Sequence, residues 1–219
     1  MTRAYWTYRD LLLGICLLLP SILIASLAAR LIPASKTLQA VAAQMLLYVV
    51  WFILLRSMLR MTYDRPLALS LGWWPVHRIW MMFLIGVALA FALGYLGLFL
   101  KAPQIDPPFK PLLDDKLTRA LFALAGVVMG PIAEELAFRG FLMPLLAKSM
   151  PVAAAVVATA APFALLHGQQ YQWSWQHVMI VFLAGTVFGG IRAWQDSTLA
   201  SAVAHGAYNF TLLAGYLTS

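Results

Sequence analysis

Long apolar runs recurring along almost the whole chain constrain this sequence more than any other feature. Seven can be drawn: Leu11–Ile32, Leu38–Leu55, Ile79–Leu100, Leu117–Ala147, Val152–Gly168, His177–Trp194 and Thr198–Leu217. A transmembrane helix needs roughly 20 apolar residues to cross a hydrocarbon core of about 30 Å. The expected fold is therefore all-α, a polytopic transmembrane helical bundle of about seven spans (six to eight) forming one membrane domain over residues 1–219. Composition agrees: 63% of residues are hydrophobic and 11% charged, whereas a soluble domain carries about 25% charged residues.

The formal net charge is +7, but the basic residues stand singly or in pairs between apolar runs, as juxtamembrane residues do. They form no patch, so no nucleic-acid partner is expected. Cys16 is the single cysteine, which rules out an internal disulfide. Arg3 and Arg9 precede the first run in the manner of a signal peptide. That run exceeds the usual signal core of about 7–15 residues, so it reads as a retained helix.

Two connections are longer than the others. Arg56–Arg78 is basic and contains Trp73 and Trp74, with Trp80 just beyond it, as an interfacial stretch would. Lys101–Lys116 holds Pro103, Pro107, Pro108, Pro111 and three aspartates, which predicts an irregular aqueous loop. Placing the N-terminus inside puts Arg3, Arg9, Arg56, Arg60, Arg65, Arg78, Lys148 and Arg192 on the cytoplasmic side. Arg30, Lys36, Lys101, Lys110, Lys116 and Arg119 fall on the other, a small bias toward a cytoplasmic N-terminus. A bacterial inner membrane is the expected location.

Against this background a few polar residues stand out. The chain has only two glutamates, the adjacent Glu134 and Glu135, deep inside the fourth run. A carboxylate at the bilayer centre costs roughly 2.5–3.5 kcal/mol on insertion scales, so such residues face the bundle interior. Glu135 and Arg139 stand at i,i+4 and can form a structural ion pair on one helix face. Arg139 does not easily serve Glu134 as well. Gly130 and Pro131 loosen or kink the helix just before the pair. His167 ends the fifth run. His205 lies in the seventh, with Asn209 four residues on and on the same face. Either histidine alone could be a simple interhelical hydrogen bond; His77 and His177, at segment ends, read as interfacial.

The depths converge. From a turn at Ser149–Met150, Glu134 and His167 lie about 15 and 17 residues away, or roughly 23 and 26 Å along continuous helices. His205 and Asn209 are roughly 12–18 Å into their own helix. Unrelated structural polar residues would have no reason to meet near mid-membrane.

Three motifs stand in order on these helices: GPIAEELAFRG as EExxxR, FALLH as FxxxH with Phe163 and His167, and HGAYN as HxxxN. Together they resemble the CPBP family of intramembrane proteases, which includes the type II CAAX prenyl endopeptidases and bacterial relatives linked to bacteriocin self-immunity. The resemblance covers roughly 117–217, the expected catalytic core, and leaves 1–116 as peripheral helices and loops without a motif. It implies an endopeptidase that cuts a membrane-embedded or lipid-anchored peptide or protein near its C-terminus, within the lipid bilayer.

The resemblance also implies roles. Glu134 would be the general base toward a water, and Glu135 with Arg139 would hold the helix face. His167 would orient the water or the base, His205 and Asn209 would bond the oxyanion, and Phe163 would support the site. No cofactor is implied, although Glu134, His167 and His205 are also a zinc-like ligand set with an open position. HExxH is absent. Ser201 lies one turn before His205 without other signs of an activated nucleophile. Two readings of another class stay open here: a proton-coupled transporter, since buried Glu and His build relays, and a non-catalytic membrane peptide-binding or immunity protein.

Overall fold

The computed structural model describes residues 4–105 and 110–218. Arg3 of the charge bias, and Asp106, Pro107 and Pro108 of the expected aqueous loop, lie outside the described residues. Those described form helices and connecting turns, with no β-strand among them.

Helices Tyr8–Cys16 (α1) and Leu18–Arg30 (α2) make one apolar rod, and Lys36–Tyr63 (α3) returns beside it. Ser35 caps α3 by accepting from the Leu38 amide at 3.2 Å, which satisfies one orphan donor of its first turn. A short turn, Leu67–Ser70 (α4), precedes Ile79–Phe99 (α5). The next helix runs from Lys116 to Leu146. It comprises Lys116–Leu124 (α6), Gly130–Glu135 (α7) and Met143–Leu146 (α8), joined through π-helical turns at Ala125–Met129 and Leu136–Leu142. Val152–Leu166 (α9), Trp175–Gln195 (α10) and Thr198–Thr218 (α11) complete the bundle.

The cap of α6 is local chemistry. Asp115 accepts from the Thr118 amide at 2.8 Å and its hydroxyl at 3.0 Å, and the amide bond foremost holds this exposed carboxyl below the usual carboxylate range.

The seven apolar segments of the sequence thus correspond to helical stretches. Five are long and apolar enough to cross a membrane: Tyr8–Arg30, Lys36–Tyr63, Ile79–Phe99, Lys116–Leu146 and Trp175–Gln195. The other two differ for visible reasons. α9 has 15 residues, and α11 carries His205, Asn209 and several hydroxyl residues that lower its hydropathy. Large side chains such as Phe91 and Leu98 stand on the outer surface, where acyl chains rather than water would meet them. The chain is an integral membrane protein.

Two expectations about boundaries need correction. The second segment does not stop at Leu55: α3 continues to Tyr63, so Arg56 and Arg60 belong to a helix rather than a connection. The remaining stretch is also not purely interfacial, because part of it turns inward. Leu71 is 1% exposed. Its carbonyl accepts from Thr198 Oγ1 at 2.5 Å, the Gly72 carbonyl from the Thr198 amide at 2.8 Å, and the Trp74 carbonyl from Ser197 Oγ at 2.6 Å. Gly72 makes this possible with φ +74, and a Cβ there would strike the buried Arg192 guanidinium.

α5 lies along α11, α9 along α10, and α2 along α3. One apolar core joins Met82, Leu93, Phe188, Ile191 and Tyr208. Another joins Trp6, Leu55, Leu59, Leu71, Phe141 and Leu145, so the N-terminal third packs directly on the glutamate-bearing helix. Trp6 stacks on Phe141 at 5.3 Å and donates its indole N–H to the Phe141 carbonyl at 3.1 Å. At the α5–α11 crossing a Cβ on Gly86 would overlap the Ala204 carbonyl. Gly86→Ala should therefore cost about 1–3 kcal/mol through overpacking. Gly94→Ala on the same helix, with nothing within 4 Å of the added methyl, should cost nothing. Thermal unfolding of the two variants in one detergent checks this contrast.

Candidate active site

Pro131 offers no N–H, so the Val127 carbonyl has no partner at i+4. The chain answers with the π-turn at Ala125–Met129, whose carbonyls are then met by α11. Asn209 Nδ2 donates to the Gly126 carbonyl at 2.8 Å. Gly206 comes so close to the Val127 carbonyl that a Cβ would stand 2.8 Å from it. A second π-turn follows directly after the glutamates. π-turns of this sort occur often at functional sites. Here two of them bracket the short α7 that carries Glu134 and Glu135.

Adjacent helical residues point about 100° apart, and the two glutamates have opposite fates. Glu135 is fully buried. Its Oε1 accepts from Arg139 Nη1 at 2.8 Å and from His205 Nδ1 at 3.1 Å. Arg139, also fully buried, gives Nη2 to the Gly185 carbonyl at 2.7 Å and lies 4.4 Å from the Phe163 ring centroid. The i,i+4 pair expected from the sequence is thus present, and it ties α7, α10 and α11 together.

Glu134 instead faces a cavity of about 710 Å³, its side chain 24% exposed. Its Oε2 is 3.9 Å from His167 Nε2 and 3.8 Å from His205 Nε2. These gaps are too long for direct hydrogen bonds and short enough for one water to bridge. The partners on the far side of each ring set the tautomers. His167 Nδ1 lies 2.8 Å from the Phe163 carbonyl, which can only accept, so Nδ1 carries hydrogen and Nε2 faces Glu134. His205 Nδ1 likewise donates to Glu135, and the ring is stacked on Phe188 at 4.5 Å. A neutral His205 therefore offers Nε2 as an acceptor, and only the cation makes it a donor.

The structure brings Glu134, Phe163, His167, His205 and Asn209 to one cavity and sets Glu135 and Arg139 behind it as support. Sequence reasoning missed Tyr48 and Gln44 of α3, which line the same cavity. Tyr48 Oη and Glu134 Oε1 lie 3.8 and 3.7 Å from the point a Cβ of Gly130 would occupy. Two polar residues four apart inside an apolar helix were the available signal. Tyr48→Phe should lower turnover about 3–10-fold, the worth of one neutral hydrogen bond, without moving the unfolding temperature.

A zinc ion with ligands at about 2.0–2.1 Å in tetrahedral geometry separates ligand atoms by roughly 3.4 Å. The 3.8 and 3.9 Å spacings are wider. Among the described residues no group of three or more His, Cys, Asp or Glu is arranged to hold a metal ion. The three side chains as placed do not fit one.

The family model described as type II CAAX prenyl endopeptidase, Rce1-like, matches residues 116–211, the part of the chain that carries all three motifs. Residues 116–211 belong to that family. The match supports an intramembrane CAAX-type endopeptidase in general, and with it a membrane-associated peptide as substrate. Comparisons with curated proteins and with solved structures returned no match. Tyr48 and Gln44 lie outside the family segment although they share its cavity.

Proposed function

We propose that the protein hydrolyses a peptide bond near the C-terminus of a membrane-embedded or lipid-anchored substrate, by a water that Glu134 activates. The observation that carries this reading is that Glu134 alone of the two carboxylates faces the cavity, with both histidine Nε2 atoms turned toward its Oε2. Water donates one hydrogen to Glu134 and the other to His167, which aims its oxygen at the scissile carbonyl. Attack transfers a proton to Glu134 and leaves a tetrahedral oxyanion. His205, as the cation held by Glu135, donates Nε2–H to that oxygen, and the second N–H of Asn209 is the further donor. Collapse breaks the C–N bond as Glu134 returns the proton to the leaving amine. An apolar wall excludes bulk water and strengthens each of these interactions.

The test is cleavage of a library of membrane-anchored C-terminal peptides by the purified protein, read by mass spectrometry with and without phenanthroline. Hydrolysis indifferent to the chelator is the expected result. Loss with chelator and recovery with added zinc would overturn the metal-free mechanism. The bonds that are cut would define the substrate.

A further inference from the structure

Beside the catalytic cavity lies a second, of about 900 Å³, that hydrolysis leaves unused; Tyr48 stands in the walls of both. Its main wall is a single stripe of α3. Tyr48, Phe52, Arg56 and Arg60 follow at four-residue spacing and so share one helix face. Arg65 joins the rim just past the end of α3, its guanidinium 5.1 Å from the Tyr5 ring centroid. Three arginines and a single carboxylate, Asp64, thus line this end of the cavity. Toward Tyr48 the walls are apolar, with Ile53, Ile132 and Leu136 opposite and beside Phe52.

This polarity has a direction. Arg60 and Tyr48 are 12 residues apart on a continuous helix, or about 18 Å. One leaflet contributes about half of a 30 Å hydrocarbon core, roughly 15 Å. The cavity is therefore cationic at headgroup level and apolar for the depth of one acyl chain. A peptide threaded along it would leave backbone N–H and C=O groups without partners against Ile53, Ile132 and Leu136, whereas an acyl chain has none to satisfy. Guanidinium groups match phosphate oxygens through paired, charge-assisted bonds.

We propose that this cavity binds one anionic glycerophospholipid, its phosphate held by Arg56, Arg60 and Arg65 and an acyl chain running along Phe52 to Tyr48. The site is separate from the proposed chemistry and stands without it.

Native mass spectrometry of the full chain in a neutral detergent tests this, with thermal unfolding alongside. Phosphatidylglycerol and phosphatidylcholine of identical chains are compared. One phosphatidylglycerol should be retained, and bound about tenfold more tightly or better: both lipids offer a phosphate, but the choline cation of phosphatidylcholine neutralises its headgroup and is repelled by the three arginines. The triple variant R56Q/R60Q/R65Q should lose that preference, single Arg60→Gln should weaken it, and Arg30→Gln should leave it intact. Ile53→Trp, which fills the apolar part, should weaken phosphatidylglycerol binding while the arginines remain. Inorganic phosphate alone should stabilise little. Equal binding of the two lipids, an unchanged preference in Arg60→Gln, or stabilisation by phosphate matching that by the lipid would each overturn the proposal.

Discussion

Replacing Glu134 by glutamine is expected to lower kcat about 10³-fold while the unfolding temperature stays that of the wild type. The size follows from removing a positioned general base, worth about 10²–10⁴-fold, or roughly 4 kcal/mol of barrier for a factor of 10³. Glutamine keeps the shape and still bonds a water, so KM should change little, but it takes up no proton. Stability is spared because Glu134 makes no short bond to its neighbours: its nearest ring nitrogens are 3.8 and 3.9 Å away. Steady-state cleavage and thermal unfolding of one preparation check both halves. A variant that turns over at the wild-type rate would remove Glu134 from the chemistry and return attention to a transport or peptide-holding role. A variant that loses activity together with its fold would make Glu134 structural.

The second large effect belongs to the residue behind the site. Arg139→Met should destabilise the protein by about 3–5 kcal/mol, because it strands the Glu135 charge at zero exposure. It also removes the donor to the Gly185 carbonyl and the cation over Phe163. Arg139→Lys should rescue only part of this, since a point charge does not span two acceptors as a planar fork does. Pairing Arg139→Met with Glu135→Gln removes the stranded charge and should recover a measurable share, a coupling of about 0.5–3 kcal/mol. Chemical unfolding of the four proteins closes that cycle. Strictly additive losses would show that the pair is not the unit the geometry describes. Activity should fall in every member, because Glu135 also anchors His205 Nδ1.

The contrast between the two glutamates shows how far the sequence could be read. Spacing alone placed Arg139 on the Glu135 face, and the structure has that pair at 2.8 Å. The antiparallel depth argument placed His167 level with Glu134, and they are 3.9 Å apart. Tyr48 could not be placed this way. Gln44 and Tyr48, four residues apart, mark a polar face on an apolar helix, but nothing local says that this face meets a helix so remote in sequence. Asn209 looked like an oxyanion donor, but one of its N–H groups is already committed to the Gly126 carbonyl. That partner exists because Pro131 forces a π-turn, a consequence of backbone hydrogen-bond supply that a motif does not carry.

By itself, then, the sequence determined the class and the inventory. Hydropathy set the helices because a bilayer admits only long apolar segments of internally bonded backbone. The few polar residues inside them marked the candidate site because burying them elsewhere is costly. Tertiary structure alone decided which carboxylate meets the cavity, which ring nitrogen carries hydrogen, and how α3 comes to wall both cavities. Those outcomes depend on the rotation and approach of helices distant in sequence. Rotating one helix by a single residue's turn, about 100°, would exchange the roles of Glu134 and Glu135 without altering a letter of the motif.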